Sequence, residues 1–177
     1  RIHAGSGDDH ITVNGAALVY GGNGSDHGML WEDGNIFFAG PGDDFAESEG
    51  ANSLDMGSGD DEVWLLHGAN ALNAGPGADL VHLRGGELAL TFGHSGGADT
   101  VTYVPGATTL TVHLDETVVQ GDLTFSVTDG LYGEGISMAV DGSDDVLELV
   151  ALSYNPILDV YESELEETAA EIEFFNG

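Results

Sequence analysis

Six glycine-rich turns, each ending on an aspartate, recur at nearly constant spacing through the first hundred residues. They are GSGDDHITV (Gly5 to Val13), GGNGSDHGM (Gly21 to Met29), GPGDDFAE (Gly40 to Glu47), GSGDDEVWL (Gly57 to Leu65), GPGADLVHL (Gly75 to Leu83) and SGGADTVTY (Ser95 to Tyr103). The recurrent acids are Asp9, Asp26, Asp44, Asp61, Asp79 and Asp99, at steps of 17, 18, 17, 18 and 20 residues. Self-similarity at such a period requires a stack of like units, because one unit cannot bury its own apolar face.

Between these turns runs a weaker series with glycines at 15, 34, 50, 68, 86 and 106, each followed by a short apolar alternation. One period therefore holds two turns and two short strands. The strands after the aspartate turns carry Ile11 and Val13, Val63 and Leu65, Val81 and Leu83, and Val101 and Tyr103 on one face. Those after the second turns are expected to bury Leu18 and Tyr20, Ile36 and Phe38, Leu54 and Met56, Leu72 and Ala74, Leu88 and Leu90, and Leu110 and Val112. Stacked, they make two parallel sheets around a narrow core. That core is thin where Ala46, Ala74 and Gly28 replace larger residues, and Met29 or Leu30 is expected to fill in for Gly28.

Charge sharpens the problem. Acids outnumber bases 32 to 2, for a net charge of −30 over 177 residues. Self-repulsion on this scale opposes compaction and argues against nucleic acid and anionic membranes as partners. Bound cations or a salt-rich medium would offset it. Sixteen acids lie in residues 1–114 and sixteen beyond, so cation sites account for part of the charge. No cysteine is present to staple the fold or bind zinc, and no apolar run is long enough to span a membrane. No N-terminal secretory signal is visible, and the chain opens at Arg1 inside a repeat, as a piece cut from a longer protein would. Repeated carboxylates beside glycine turns suit calcium, which takes six to eight oxygen ligands in flexible geometry.

The units resemble the GGxGxDxUx nonapeptide of the RTX, or haemolysin-type, calcium-binding repeats. The resemblance covers residues 1 to about 114. It implies an all-β fold: a right-handed parallel β-roll of about six coils, with Ca2+ held between successive turns. Carried over, the ligands are Asp9, Asp26, Asp44, Asp61, Asp79 and Asp99, with carbonyls of Gly5, Gly7, Gly22, Gly24, Gly40, Gly42, Gly57, Gly59, Gly75 and Gly77. Only every second turn keeps the aspartate, so one edge is expected to be metallated and the other bare. Five gaps between six turns suggest about four or five ions. The sixth unit carries an insertion, which makes Asp99 the least secure ligand.

After Leu114 the beat stops. GDLTFSVTDG, GISMAVDG and DDVLELVAL read as antiparallel strands with turns near Asp129-Gly130 and Asp141 to Asp145, expected to cap the roll over residues 115–177. The stretch YESELEETAAEIEFF has a helical reading, with Leu165, Ala169 and Ile172 on one side, and resembles an uncleaved type I secretion signal.

Other signals reduce to structure. Gly93 to Gly97 matches the G-x-S-x-G nucleophile elbow but occupies a repeat turn with no helical pattern after it. His10 and His27 share one repeat position and read as packing between coils. Glu32-Asp33 and Glu47 with Glu49 read as a solvated face, and Trp31 and Trp64 as strand fillers. No catalytic constellation emerges, so an enzyme is not expected. The resulting expectation is a secreted bacterial module, a monomer, that folds on calcium after export by type I secretion machinery. The rival expectation is a calcium-dependent carbohydrate-binding or adhesin module.

Overall fold

A computed structural model describes residues 1–93, 96–104, 108–114, 118, 123–130, 133–155, 160–163 and 174–175. These are all-β, with no helix among them. Strands alternate between two sheets as the chain winds. The first sheet contains β1 (Ile2–Ser6), β3 (Leu18–Asn23), β5 (Ile36–Pro41), β7 (Ser53–Ser58), β9 (Ala69–Asn73), β11 (Gly86–Phe92) and β13 (Thr108–Leu114). The second contains β2 (His10–Asn14), β4 (His27–Trp31), β6 (Phe45–Glu49), β8 (Glu62–His67), β10 (Leu80–Leu83) and β12 (Ala98–Tyr103). Each strand pairs in parallel with its equivalent one coil away, giving the two-sheet solenoid of about six coils.

The core follows the register. In the second sheet Ile11, Gly28, Ala46, Val63, Val81 and Val101 form one inward column, and Val13, Leu30, Ser48, Leu65, Leu83 and Tyr103 the next. Gly28 keeps its inward slot, contrary to the expectation that Met29 or Leu30 would replace it. The Phe37 ring fills the space from the facing sheet: a Cβ on Gly28 would meet it at 2.9 Å. Leu30 occupies the next slot, in line with Val13, and Met29 faces outward.

The first sheet corrects a second expectation. Val19, Phe37 and Ala39 are buried, whereas Ile36 and Phe38 are 43% and 37% exposed, so β3 and β5 are one residue out of the expected phase. Parallel register aligns Val19 with Phe37, Leu54, Leu72, Leu90 and Val112 in one inward column. The runs around Val19 and Phe37 are apolar on both faces, so alternation could not set their phase. Outside, Tyr20 stacks on His3 at 4.6 Å and on Phe38 at 5.1 Å, which gives the outward aromatics their own packing.

Beyond the coils, β14 (Leu123–Gly130), β15 (Gly133–Val140) and β16 (Val146–Asn155) form the expected antiparallel group. Its last strand also pairs in parallel with β12, so the group is hydrogen-bonded into the second sheet as its next layer. The stretch with the helical reading begins in β17 (Val160–Ser163) and ends in β18 (Phe174–Phe175), which pair with β16 and β13. Leu165, Ala169 and Ile172 lie outside the described residues.

Candidate metal centre

The six repeat aspartates stack along one edge of the roll, where the chain passes from the first sheet to the second. Asp26, Asp44, Asp61, Asp79 and Asp99 are all at least nine-tenths buried. Each is held by its Oδ1, which accepts the backbone N–H of the aspartate one coil earlier. The distances are 2.9 Å from Asp9 to Asp26, 2.6 Å from Asp26 to Asp44, and 2.7 Å from Asp44 to Asp61. They are 2.9 Å from Asp61 to Asp79 and 3.2 Å from Asp79 to Asp99. Asp99, expected to be the least secure ligand, lies in line with the other rungs and makes the longest of these bonds.

The other oxygen of the rungs has a different fate. Oδ2 of Asp9, Asp26, Asp44, Asp61 and Asp79 is buried without a hydrogen-bond partner. A buried carboxylate oxygen facing no donor is costly unless a proton or a cation neutralises it. Burial, the largest cause, pushes the Asp44 and Asp79 carboxyls from an ordinary 3.8 up to about 6. It pushes Asp61 and Asp99 up to about 8, with neighbouring rung charges adding to the rise and the backbone donors opposing it.

The glycines expected to lend carbonyls form two columns on the same edge, Gly5-Gly22-Gly40-Gly57-Gly75 and Gly7-Gly24-Gly42-Gly59-Gly77. Their first role is steric. At Gly40, with φ of +121°, a Cβ would fall 2.0 Å from the Gly22 carbonyl oxygen, so coils can stack this closely only with glycine there. In the second column each N–H donates to a carbonyl of the next coil: Gly7 to Asn23, Gly24 to Pro41, Gly42 to Ser58, Gly59 to Pro76 and Gly77 to Gly96. A second, exposed row of acids reinforces the turns, with Asp8, Asp43 and Asp60 accepting from Ser25, Asp60 and Ala78.

The opposite edge, where the repeat lacks the aspartate, carries a ladder of its own. Asn35, Asn52 and Asn70 form a buried ladder that the aspartate pattern did not reveal. Their Oδ1 atoms accept the N–H of Ala17 (3.1 Å), Asn35 (2.8 Å) and Asn52 (3.2 Å). The amide nitrogens then donate: Asn35 to the Trp31 and Glu32 carbonyls, Asn52 to Ser48 Oγ, Asn70 to the His67 carbonyl. The signal was present in DGN, GAN and GAN at one repeat position. Both edges thus use the same rung bond. The asparagine edge satisfies its second polar atom with protein acceptors, whereas the aspartate edge presents an acceptor where a positive group is needed.

This donor set fits a hard cation better than a transition metal. Among the described residues no three His, Asp or Glu side chains converge to hold an ion by themselves. An ion between coils would draw on the unpartnered Oδ2 atoms and complete its shell with turn carbonyls and water, as calcium tolerates. The histidines lie elsewhere: His10 and His27 pack edge-to-face at 4.4 Å in line with Phe45. Of the G-x-S-x-G stretch, His94 and Ser95 lie outside the described residues, and a strand, β12, follows it. A groove of about 540 Å3 crosses the outer face of the first sheet over Ser53, Ala71, Ala89 and Thr111.

No protein-family model matches the chain, and no curated protein sequence matches it.

Proposed function

We propose that this chain is a calcium-binding β-roll module of the RTX type, part of a secreted bacterial protein, which folds when it binds about four or five Ca2+ ions along its aspartate edge. The observation that carries the reading is the row of five buried Oδ2 atoms without partners, one in each of the first five coils, opposite an edge where the three asparagine rungs have their polar atoms satisfied.

The functional consequence is a folding switch. With a charge of −30 and a row of buried acids, the metal-free chain is disfavoured at neutral pH. A cation that binds only the folded form shifts the equilibrium by mass action, and a site absent from the unfolded chain turns binding energy into folding energy. Extracellular calcium modules bind at roughly 10−4–10−3 M, so such a chain stays open at cytosolic calcium and folds outside. This suits export through a type I channel in the unfolded state. The proposed role is structural rather than catalytic.

The test is circular dichroism of the chelated chain during separate Ca2+ and Mg2+ titrations. Sheet signal should rise with calcium at sub-millimolar to millimolar concentration and respond weakly to magnesium, whose strict octahedron the stacked turns do not favour. Full sheet signal in EDTA at pH 8, or equal response to both ions, would refute the proposal.

A further inference from the structure

The column of turn amides ends on a side chain. Gly7, Gly24, Gly42, Gly59 and Gly77 each donate their N–H to a backbone carbonyl of the following coil. Gly97 occupies the next position, bridging in parallel to Gly77 and passing its coil's Ala98 N–H to the Gly77 carbonyl. Its own N–H donates instead to Oδ1 of Asp145, at 3.0 Å, 48 residues further along the chain. The Gly97 carbonyl in turn accepts the Val146 N–H at 2.7 Å, where β16 joins β12. Both backbone groups of the last turn are therefore closed by one short segment of the C-terminal antiparallel group.

That segment is built to hold the carboxylate still. Asp145 is buried, at 5% exposure. The Val140 N–H donates to the Asp145 carbonyl, the Ser143 N–H to the Val140 carbonyl, and the Asp145 N–H to Ser143 Oγ. These bonds tie the turn between β15 and β16. Strand pairing on either side, Met138 with Leu147 and Asp99 with Leu147, fixes the group against the sixth coil.

We infer that Asp145 is the terminating residue of the turn stack: its carboxylate stands in for the carbonyl of an absent next coil, so that docking of the C-terminal group and ordering of the aspartate edge are one cooperative event. The coupling to calcium rests on the proposed function; the terminating bond itself does not. A side-chain carboxyl oxygen is a suitable replacement, because it accepts the same amide N–H that a carbonyl of a further coil would otherwise accept. Asp145 is a positioning residue here, acting on the ladder through Gly97.

The experiment follows amide hydrogen exchange by NMR in the full 177-residue chain during calcium titration, for the wild type, Asp145→Ala and Asp145→Asn. In the wild type, amides of Asp26, Asp44 and Asp61 and those of Met138, Leu147 and Leu149 should become protected at one calcium concentration. Asp145→Ala should lower Gly97 protection at least tenfold and raise the calcium midpoint of both groups several-fold. Asp145→Asn, which keeps an acceptor oxygen, should retain most of the Gly97 protection and guards against a variant that merely fails to fold. Protection of β15 and β16 in EDTA while the aspartate amides exchange freely would overturn the coupling. An alanine variant with unchanged Gly97 protection would overturn the terminating bond. A wild type whose protection ignores calcium, yet whose Gly97 amide is exposed by Asp145→Ala, would refute the calcium reading and leave the terminating role standing.

Discussion

Replacing Asp61 by asparagine separates the charge of a rung from its shape. Asp61 lies mid-ladder, with Oδ1 accepting the Asp44 N–H at 2.7 Å and Oδ2 buried without a partner. Asparagine keeps the acceptor and carries a donor in place of the second oxygen, as Asn35, Asn52 and Asn70 do on the other edge. Burial and the flanking rungs raise the Asp61 carboxyl from 3.8 to about 8. At about 1.4 kcal/mol per tenfold change in proton affinity, holding that carboxylate ionised in the metal-free fold costs on the order of 5 kcal/mol. Neighbouring rungs relax to absorb part of this. Asp61→Asn should therefore stabilise the chelated protein at pH 8 by about 2–4 kcal/mol, or roughly 5–15 °C in Tm. The gain should shrink to about 0.5 kcal/mol near pH 4, where the folded rung is protonated and the unfolded one only partly ionised. In calcium the sign reverses, because the variant removes a carboxylate from two adjacent gaps. Thermal unfolding by circular dichroism at pH 4 and 8, with EDTA and with calcium, gives all four arms. A variant less stable than wild type in EDTA at pH 8 would refute the reasoning.

Three further outcomes follow from the same geometry. The wild-type metal-free protein should lose stability as pH rises: acids whose folded pKa is raised contribute fully below about 4 and lose that contribution as pH climbs through about 6 for Asp44 and Asp79 and about 8 for Asp61 and Asp99. Urea unfolding in EDTA at pH 4, 6 and 8 measures it, and a rise in stability with pH would contradict it. Gly40→Ala should lower Tm by 10 °C or more, because its Cβ would fall 2.0 Å from the Gly22 carbonyl oxygen, while Gly5→Ala, with the same φ but no atom within 4 Å, should cost about 1 kcal/mol. Asn52→Asp should transplant the defect to the satisfied edge, losing the donor to Ser48 Oγ and destabilising the protein by about 2–4 kcal/mol at pH 8 in EDTA.

The period, the two-sheet stack and the position of every aspartate rung were legible in the sequence, because a fixed spacing of glycine and aspartate needs no knowledge of partners. The phase of β3 and β5 was not. Leu18-Val19-Tyr20 and Ile36-Phe37-Phe38 are apolar throughout, and only alignment with Leu54 and Leu72 in the neighbouring coils decides which residue faces in. Gly28 misled for a related reason: the ring that fills its space belongs to Phe37 on the facing sheet, outside any repeat comparison. The asparagine ladder was present as a repeated residue, but its meaning appears only when coil follows coil. Asp145 was unreadable as a terminator because its partner, Gly97, is 48 residues away and outside its own strand pattern.

The most direct measurement is a crystal structure of the chain grown in calcium, with anomalous difference maps over the aspartate edge. The account predicts four or five ions in a row, each ligated by Oδ2 of a rung among Asp9, Asp26, Asp44, Asp61 and Asp79. A folded roll with no anomalous peaks beside those oxygens in millimolar calcium would contradict it.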